Sequence, residues 1–241
     1  TIPVPSNWEM HGFGTLSYHS LTPSESGEYR HRFTVPAEWR DRRIKLVFDG
    51  VMTDTRVQVN GQPAGPMHQG GFYRFSYDVM DKVKFDGENV LEVAVDETSA
   101  NEGVNKAERT GDYWNFGGIY RPVWLEAAPV QAIERVAIDA RADGAFALDA
   151  FLEGRGDAAQ VEVRVVDALG REVAPAWRAD IADTKTRVTG RVNAPQVWSA
   201  ESPALYTAET RLLAKDGTVR HALRTRFGFR TFEVRAGDGF Y

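Results

Sequence analysis

Apolar residues recur at every second position along almost the whole chain. Tyr29, His31, Phe33 and Val35 alternate with Arg30, Arg32 and Thr34, and Ile44, Leu46 and Phe48 alternate with Lys45 and Val47. Val57 and Val59, then Leu91, Val93 and Val95, then Val123 and Leu125 repeat the pattern. Farther along come Phe146-Leu148-Ala150-Leu152, Val161-Val163-Val165, Val188-Gly190-Val192 and Val219-His221-Leu223-Thr225-Phe227. Turn dipeptides punctuate these runs: Asn60-Gly61, Asp86-Gly87, Asp143-Gly144, Leu169-Gly170 and Asp216-Gly217. A period of two puts one face in a core and the other in water, and frequent turns force antiparallel neighbours. Nowhere do ten residues keep a helical period, so helices are expected to be single turns at most, as around Pro36-Ala37-Glu38-Trp39. The pattern predicts an all-β chain. It also places His31 and His221 on apolar faces, where hydrogen-bonded core histidines are expected.

A change in composition divides the chain near Ala127-Ala128-Pro129. Residues 1–127 hold 13 Tyr and Phe with 6 Ala, whereas residues 128–241 hold 8 Tyr and Phe with 22 Ala. The leaner second part, with about seven short strands in ~110 residues, suits an immunoglobulin-like sandwich without the antibody cysteine pair. The first part has long polar loops bearing aromatics, at 7–27, 61–71 and 96–118, and loops of this kind on a sandwich are where binding residues sit. Arg235 to Tyr241 begin another turn.

Charge and composition then remove whole classes of function. The formal net charge is −5, with basic residues spread evenly, so neither nucleic acid nor an anionic membrane surface is an expected partner. No apolar run approaches the ~20 residues that span a bilayer. With no cysteine, thiol catalysis, disulfides and Cys-ligated zinc are excluded. The start at Thr1, with neither Met nor a signal-like stretch, reads as a cut end.

No complete catalytic motif is present: no phosphate-cradling loop, no nucleophile elbow, no His-Glu-x-x-His. His11 and His68 lie in loops. Asn101-Glu102 has the Asn-Glu order of a glycosidase acid/base, but a lone pair in a polar loop reads as a solvated dipeptide. The richest stretch is Asp112-Tyr113-Trp114-Asn115-Phe116-Gly117-Gly118-Ile119-Tyr120-Arg121. Two readings stay open for it. A carboxylate followed by aromatics and two glycines suits sugar contact, since rings stack on pyranose C–H faces and carboxylates accept hydroxyl hydrogen bonds. Alternatively, Trp114 and Phe116 are core aromatics and Asp112 caps a turn.

Several segments, in order and spacing, resemble glycoside hydrolase family 2, the β-galactosidase, β-glucuronidase and β-mannosidase group. They are Val4-Pro5-Ser6-Asn7-Trp8-Glu9-Met10-His11-Gly12-Phe13, Tyr29-Arg30-His31-Arg32-Phe33-Thr34-Val35-Pro36, Leu46-Val47-Phe48-Asp49-Gly50-Val51, Val57-Gln58-Val59-Asn60-Gly61 and His68-Gln69-Gly70-Gly71-Phe72. Gly87-Glu88-Asn89-Val90-Leu91, Gly117-Gly118-Ile119-Tyr120-Arg121-Pro122-Val123, Trp198-Ser199-Ala200-Glu201-Ser202-Pro203-Ala204-Leu205-Tyr206 and Phe227-Gly228-Phe229-Arg230 complete the set.

The resemblance implies a jelly-roll, galactose-binding-like sandwich over 1–127, an immunoglobulin-like sandwich over 128–234, and at 235–241 the start of a (β/α)₈ barrel. Such a barrel needs about 200–250 further residues and would carry both catalytic glutamates, so no catalytic residue is expected within this chain. The family normally has an earlier strand ahead of Val4-Pro5, and its absence would leave a sheet edge exposed. The resemblance further implies an exo-acting, retaining parent enzyme in which Asp112 helps hold the terminal sugar and, in β-galactosidases, contacts a sodium ion. Ser20 stands where β-galactosidases carry a substrate-contacting Asn, which puts strict β-galactoside specificity in doubt. Ser20, His68, Asp112 and Trp114, the last as support, are the expected wall of the sugar subsite. No cofactor is expected beyond sodium or another cation. The expected partners are the glycoside substrate and the chain's own barrel, with a homo-oligomeric parent. Two other classes stay open: a stand-alone carbohydrate-binding module, and an adhesion or scaffold protein, which no residue favours.

Overall fold

The computed structural model describes residues 1–18 and 24–240, and the chain divides into two compact units, Thr1–Ala128 and Pro129–Tyr241. Both units are β-sandwiches, as the period of two predicts.

In the first unit, one sheet orders its strands Ser26–Thr34, Glu88–Asp96, Asp54–Val59 and Gln62–Pro63. The other orders Phe75–Asp78, Arg42–Phe48 and Val123–Pro129, and a two-stranded ribbon pairs Ser17–Tyr18 with Trp114–Asn115. The inward positions of these strands make the core: Ile44, Leu46, Phe48, Val57, Val59, Leu91, Val93 and Val95, joined by Trp8 and Ile119. Asn60-Gly61 turns the chain between two strands with both residues at positive φ, 53° and 76°, the conformation of a tight hairpin turn that Asn and Gly tolerate.

The second unit packs three strands, in the order Ala132–Ala140, Ala145–Glu153, Lys185–Arg191, against four, in the order Trp177–Asp180, Ala158–Val166, Tyr206–Ala214, Val219–Phe227. Seven strands in a three-plus-four sandwich is the arrangement of an immunoglobulin-like domain. After it, Val234–Arg235 and Gly239–Phe240 form a short hairpin.

Two expectations need correction. His31 is exposed, on Ser26–Thr34, the outer strand of its sheet. His221, by contrast, is half-buried and its Nδ1 accepts the Ile133 amide at 3.0 Å. The second correction concerns helix. Trp8–His11 and Ala37–Trp39 are single 3₁₀ turns, but Glu102–Val104 runs on as a widened π-type helix through Asn105–Arg109. Its inward side chains are the charged Glu108 and Arg109, so no apolar period betrays it.

Candidate functional site

The loop from Glu97 to Gly118 carries Asp112, and a set of buried polar contacts holds it. Asn101 caps the helical segment, its side chain accepting the Gly103 amide at 2.9 Å, so the exposed Asn101-Glu102 pair is a helix start. Asn105 clasps Ser99 from both sides, accepting its amide at 2.8 Å and donating to its carbonyl at 2.7 Å. Buried Asp54 accepts the Ala100 amide at 2.8 Å and Gln69 Nε2 at 3.0 Å. Equally buried, Arg109 donates to Glu97 at 3.3 Å and to the Phe116 carbonyl at 2.8 Å. Glu97 is 1% exposed and Arg109 2%. Burial pushes the Glu97 carboxyl up to about 7, with Arg109 pulling the other way and Glu9 and Glu25 adding to the rise.

The far end of the loop is gripped from the N-terminal segment. Asn7 Nδ2 donates to the Gly117 carbonyl at 3.1 Å, Glu9 Oε1 accepts the Gly117 amide at 2.8 Å, and the Ser6 amide donates to Ile119 at 2.9 Å. Gly118 and Met52 exchange backbone hydrogen bonds at 3.0 and 3.3 Å on the other side. Residue 117 has to be glycine, since a Cβ there would lie 2.1 Å from the Trp8 ring. Trp8 thus wedges between the backbone of Gly27 and Gly117, which is why tryptophan and the glycine pair occur together in this sequence.

Held in this way, Asp112 stands exposed on the loop crest, where it accepts a hydrogen bond from the Tyr18 hydroxyl. That bond raises the pKa of Tyr18, keeping its hydroxyl a donor. Tyr18 pairs across the ribbon with Trp114, their ring centroids 5.0 Å apart and tilted by 57°. Trp114 is 54% exposed, so of the two readings of this stretch, the core-aromatic one does not hold for Trp114. An exposed carboxylate beside two exposed rings can accept sugar hydroxyls and stack on a pyranose face. Ser20, two residues past Tyr18, lies outside the described residues.

His68 is built differently. Its backbone exchanges hydrogen bonds with Thr55, its Nε2 lies 3.0 Å from the Gly70 carbonyl, and its ring stacks on Phe75 at 3.7 Å. Burial lowers its pKa, favouring a neutral ring that shapes the 66–71 loop. Its contacts among the described residues do not include Asp112, Tyr18 or Trp114. No group of three or more His, Asp or Glu gathers to hold a metal among the described residues, so Asp112 has no built set of cation ligands there. A separate cavity of about 670 Å³ runs along the outer strand, past Trp8, Phe13, Tyr29 and His31, and does not reach Asp112. Sequence reasoning missed Tyr18, Glu97, Glu108 and Arg109. The one signal, for Glu108 and Arg109 alone, was Asn101 ahead of Glu102, a helix-start pair that places the following charges on a helix.

Comparison with known proteins follows the same division. The family model described as "Glycosyl hydrolases family 2, sugar binding domain" matches residues 1–129, and a second, "Glycosyl hydrolases family 2", matches residues 132–230. A β-galactosidase of Clostridium acetobutylicum is 30% identical over 95% of this chain and 25% of its own length. The solved structure of Bifidobacterium dentium β-glucuronidase complexed with coumarin-3-O-glucuronide is 30% identical, with a TM-score of 0.75 over 90% of this chain and 41% of that one. Bacteroides uniformis β-glucuronidase, 24% identical, shares the fold over the whole chain and 30% of its own, with a TM-score of 0.81. The chain spans 25–30% of the length of the first relatives it matches.

Proposed function

The chain belongs to glycosyl hydrolase family 2, and on that premise we propose that it forms the non-catalytic, sugar-contacting N-terminal portion of a longer exo-acting, retaining glycoside hydrolase. The observation that carries this reading is the exposed Asp112 carboxylate, aimed outward from a loop anchored at both ends, beside the Tyr18 and Trp114 rings. In a retaining mechanism two carboxyl groups about 5–5.5 Å apart act as acid/base and nucleophile through a covalent glycosyl-enzyme. Those groups would come from a barrel beyond this chain. Asp112, with Trp114 and the Ser20 segment, would close one side of the terminal-sugar subsite, accepting hydroxyl hydrogen bonds that orient the sugar. His68 contributes by holding the shape of its loop. A terminal β-galactoside is the first choice of substrate, supported by the Val4–Phe13 segment and by the β-galactosidases among the relatives. The β-glucuronidases among the similar structures make a β-glucuronide the second.

Calorimetric titration of the 241-residue chain with galactose and with glucuronate, alongside aryl-glycoside assays, tests this reading. Neither heat of binding nor turnover is expected, because the chain supplies only part of the pocket. Turnover by the isolated chain would overturn the division of labour, and glycan binding lost in Asp112→Ala would identify a stand-alone binding module instead.

A further inference from the structure

We propose that the neighbouring Glu108 and Arg109 are positioning residues for the sugar-contacting rim, together setting the Asp112 turn and the Gly70-Gly71 loop in one fixed arrangement; this rests on Asp112 being a sugar contact. They end the helical segment only a few residues before Asp112. Successive residues on a helix point in different directions, so the two charges leave it toward different partners. Glu108 Oε2 accepts the Gly71 amide at 2.6 Å, while Tyr120 donates to the Gly71 carbonyl at 2.8 Å, so both backbone groups of Gly71 are held. Arg109 turns the other way, to the Phe116 carbonyl at 2.8 Å, Glu97 at 3.3 Å and the Met52 sulfur at 2.9 Å.

The bond to Phe116 closes the chain on itself from residue 109 to residue 116, with Asp112 on the crest between. The Ser17–Tyr18 ribbon then fixes the descending side, through the pairs Ser17–Asn115 and Tyr18–Trp114. Glu108 is 9% exposed and Arg109 2%. Burying charges is costly, and apolar side chains of similar volume often serve stability as well or better. What the charges add is direction. Each accepts or donates to one named backbone group, and a bulky apolar residue would leave those groups unpaired without choosing a loop position. Arg109 in particular uses both ends of its planar fork, Nη2 donating to the Glu97 carboxylate and the Phe116 carbonyl while Nη1 reaches the Met52 sulfur, a spread that the single nitrogen of a lysine cannot cover in the same geometry. The widened π-type turn at Asn105–Arg109 is the kind of irregularity that helices carry where side chains must be aimed.

The test has two readouts. In the 241-residue chain, Glu108→Gln should keep its melting temperature within a few degrees, while amide exchange at Gly71 rises about ten-fold. In the longer protein of which this chain is the N-terminal part, Glu108→Gln and Arg109→Lys should each raise KM for an aryl glycoside about ten-fold, with kcat changed less than about two-fold. Combined with Asp112→Ala, Arg109→Lys should not raise KM beyond the Asp112→Ala value, because the turn that Arg109 closes acts through that residue. Additive KM effects, an unchanged KM, or an unchanged Gly71 amide would overturn the positioning role while leaving Asp112 as a sugar contact. An unchanged KM in Asp112→Ala would instead remove the proposed function itself. Should Arg109→Lys fail to fold, Glu108→Gln carries the test alone, since it keeps the side chain's shape.

Discussion

Glu97 sits 3.3 Å from Arg109 and yet has its pKa pushed up to about 7, because burial outweighs the one cation and Glu9 and Glu25 add negative charge nearby. Raised above its unfolded value, this carboxyl makes the native state bind a proton that the unfolded chain has released, between about 4.5 and 7. Its contribution to stability is therefore full below that window and falls as pH rises through it. Melting temperatures from pH 5 to 7.5 should decline less steeply for Glu97→Gln than for the wild type, and parallel profiles would contradict the assignment. Glu162 is the opposite case. Burial alone would raise its pKa, but Arg178 at 2.6 Å and Arg164 at 2.9 Å prevail and hold it below the usual carboxylate range. Its stabilisation is present above the unfolded value and is lost as pH falls below it. Because Arg178 is 56% exposed and can rehydrate, Glu162→Gln should cost only about 1.5 kcal/mol at pH 7, the low end for hydrogen bonds to charged groups, as read by urea denaturation. Neither residue's burial was legible in the sequence. A glutamate just after a strand, or between two valines, looks solvated until its arginine partners are placed in space.

Among the elements, long strands with strict alternation were legible. Ala132–Ala140 was not, because its register shifts between Ile133 and Arg135, which breaks the period of two. Phe75–Asp78 and Trp177–Asp180 are too short to establish one. The loop elements divide in the same way. Gly117-Gly118 stood out as a pair, but the reason for it, the Trp8 ring against the backbone, comes from a residue over a hundred positions away. Gly117→Ala should therefore destabilise the first unit by about 1–3 kcal/mol through overpacking against Trp8. Trp8→Ala should cost more, about 3–5 kcal/mol for a buried tryptophan. Both are measurable by urea midpoints, and a Gly117→Ala variant as stable as the wild type would show that the ring is not seated there.

At the scale of the molecule, the two sandwiches differ in what their loops do. In the second unit several turns are tight, as at Asp143-Gly144 and Asp216-Gly217, and the charged outer face of its four-stranded sheet is crossed by ion pairs from Arg178 to Glu162 and from Arg224 to Glu209. In the first unit the 97–118 loop is longer than the strands it joins and is built around buried charge. It ends in an exposed carboxylate and an exposed indole. That contrast fits the proposed placing of the sugar contacts in the first unit, whose residues 1–129 match the family model of a sugar binding domain. Whole-chain architecture and family were legible from the order of several weak motifs, whereas the anchoring of Asp112 depended on contacts between distant segments. In the proposed function Asp112 orients the terminal sugar for a catalytic apparatus lying outside this chain. Steady-state kinetics of Asp112→Ala in the longer protein decide whether it does. A KM for an aryl β-galactoside raised about ten-fold or more is expected, the scale of one lost charge-assisted hydrogen bond, with a smaller change in kcat. Unaltered KM and kcat in that variant would rule the role out.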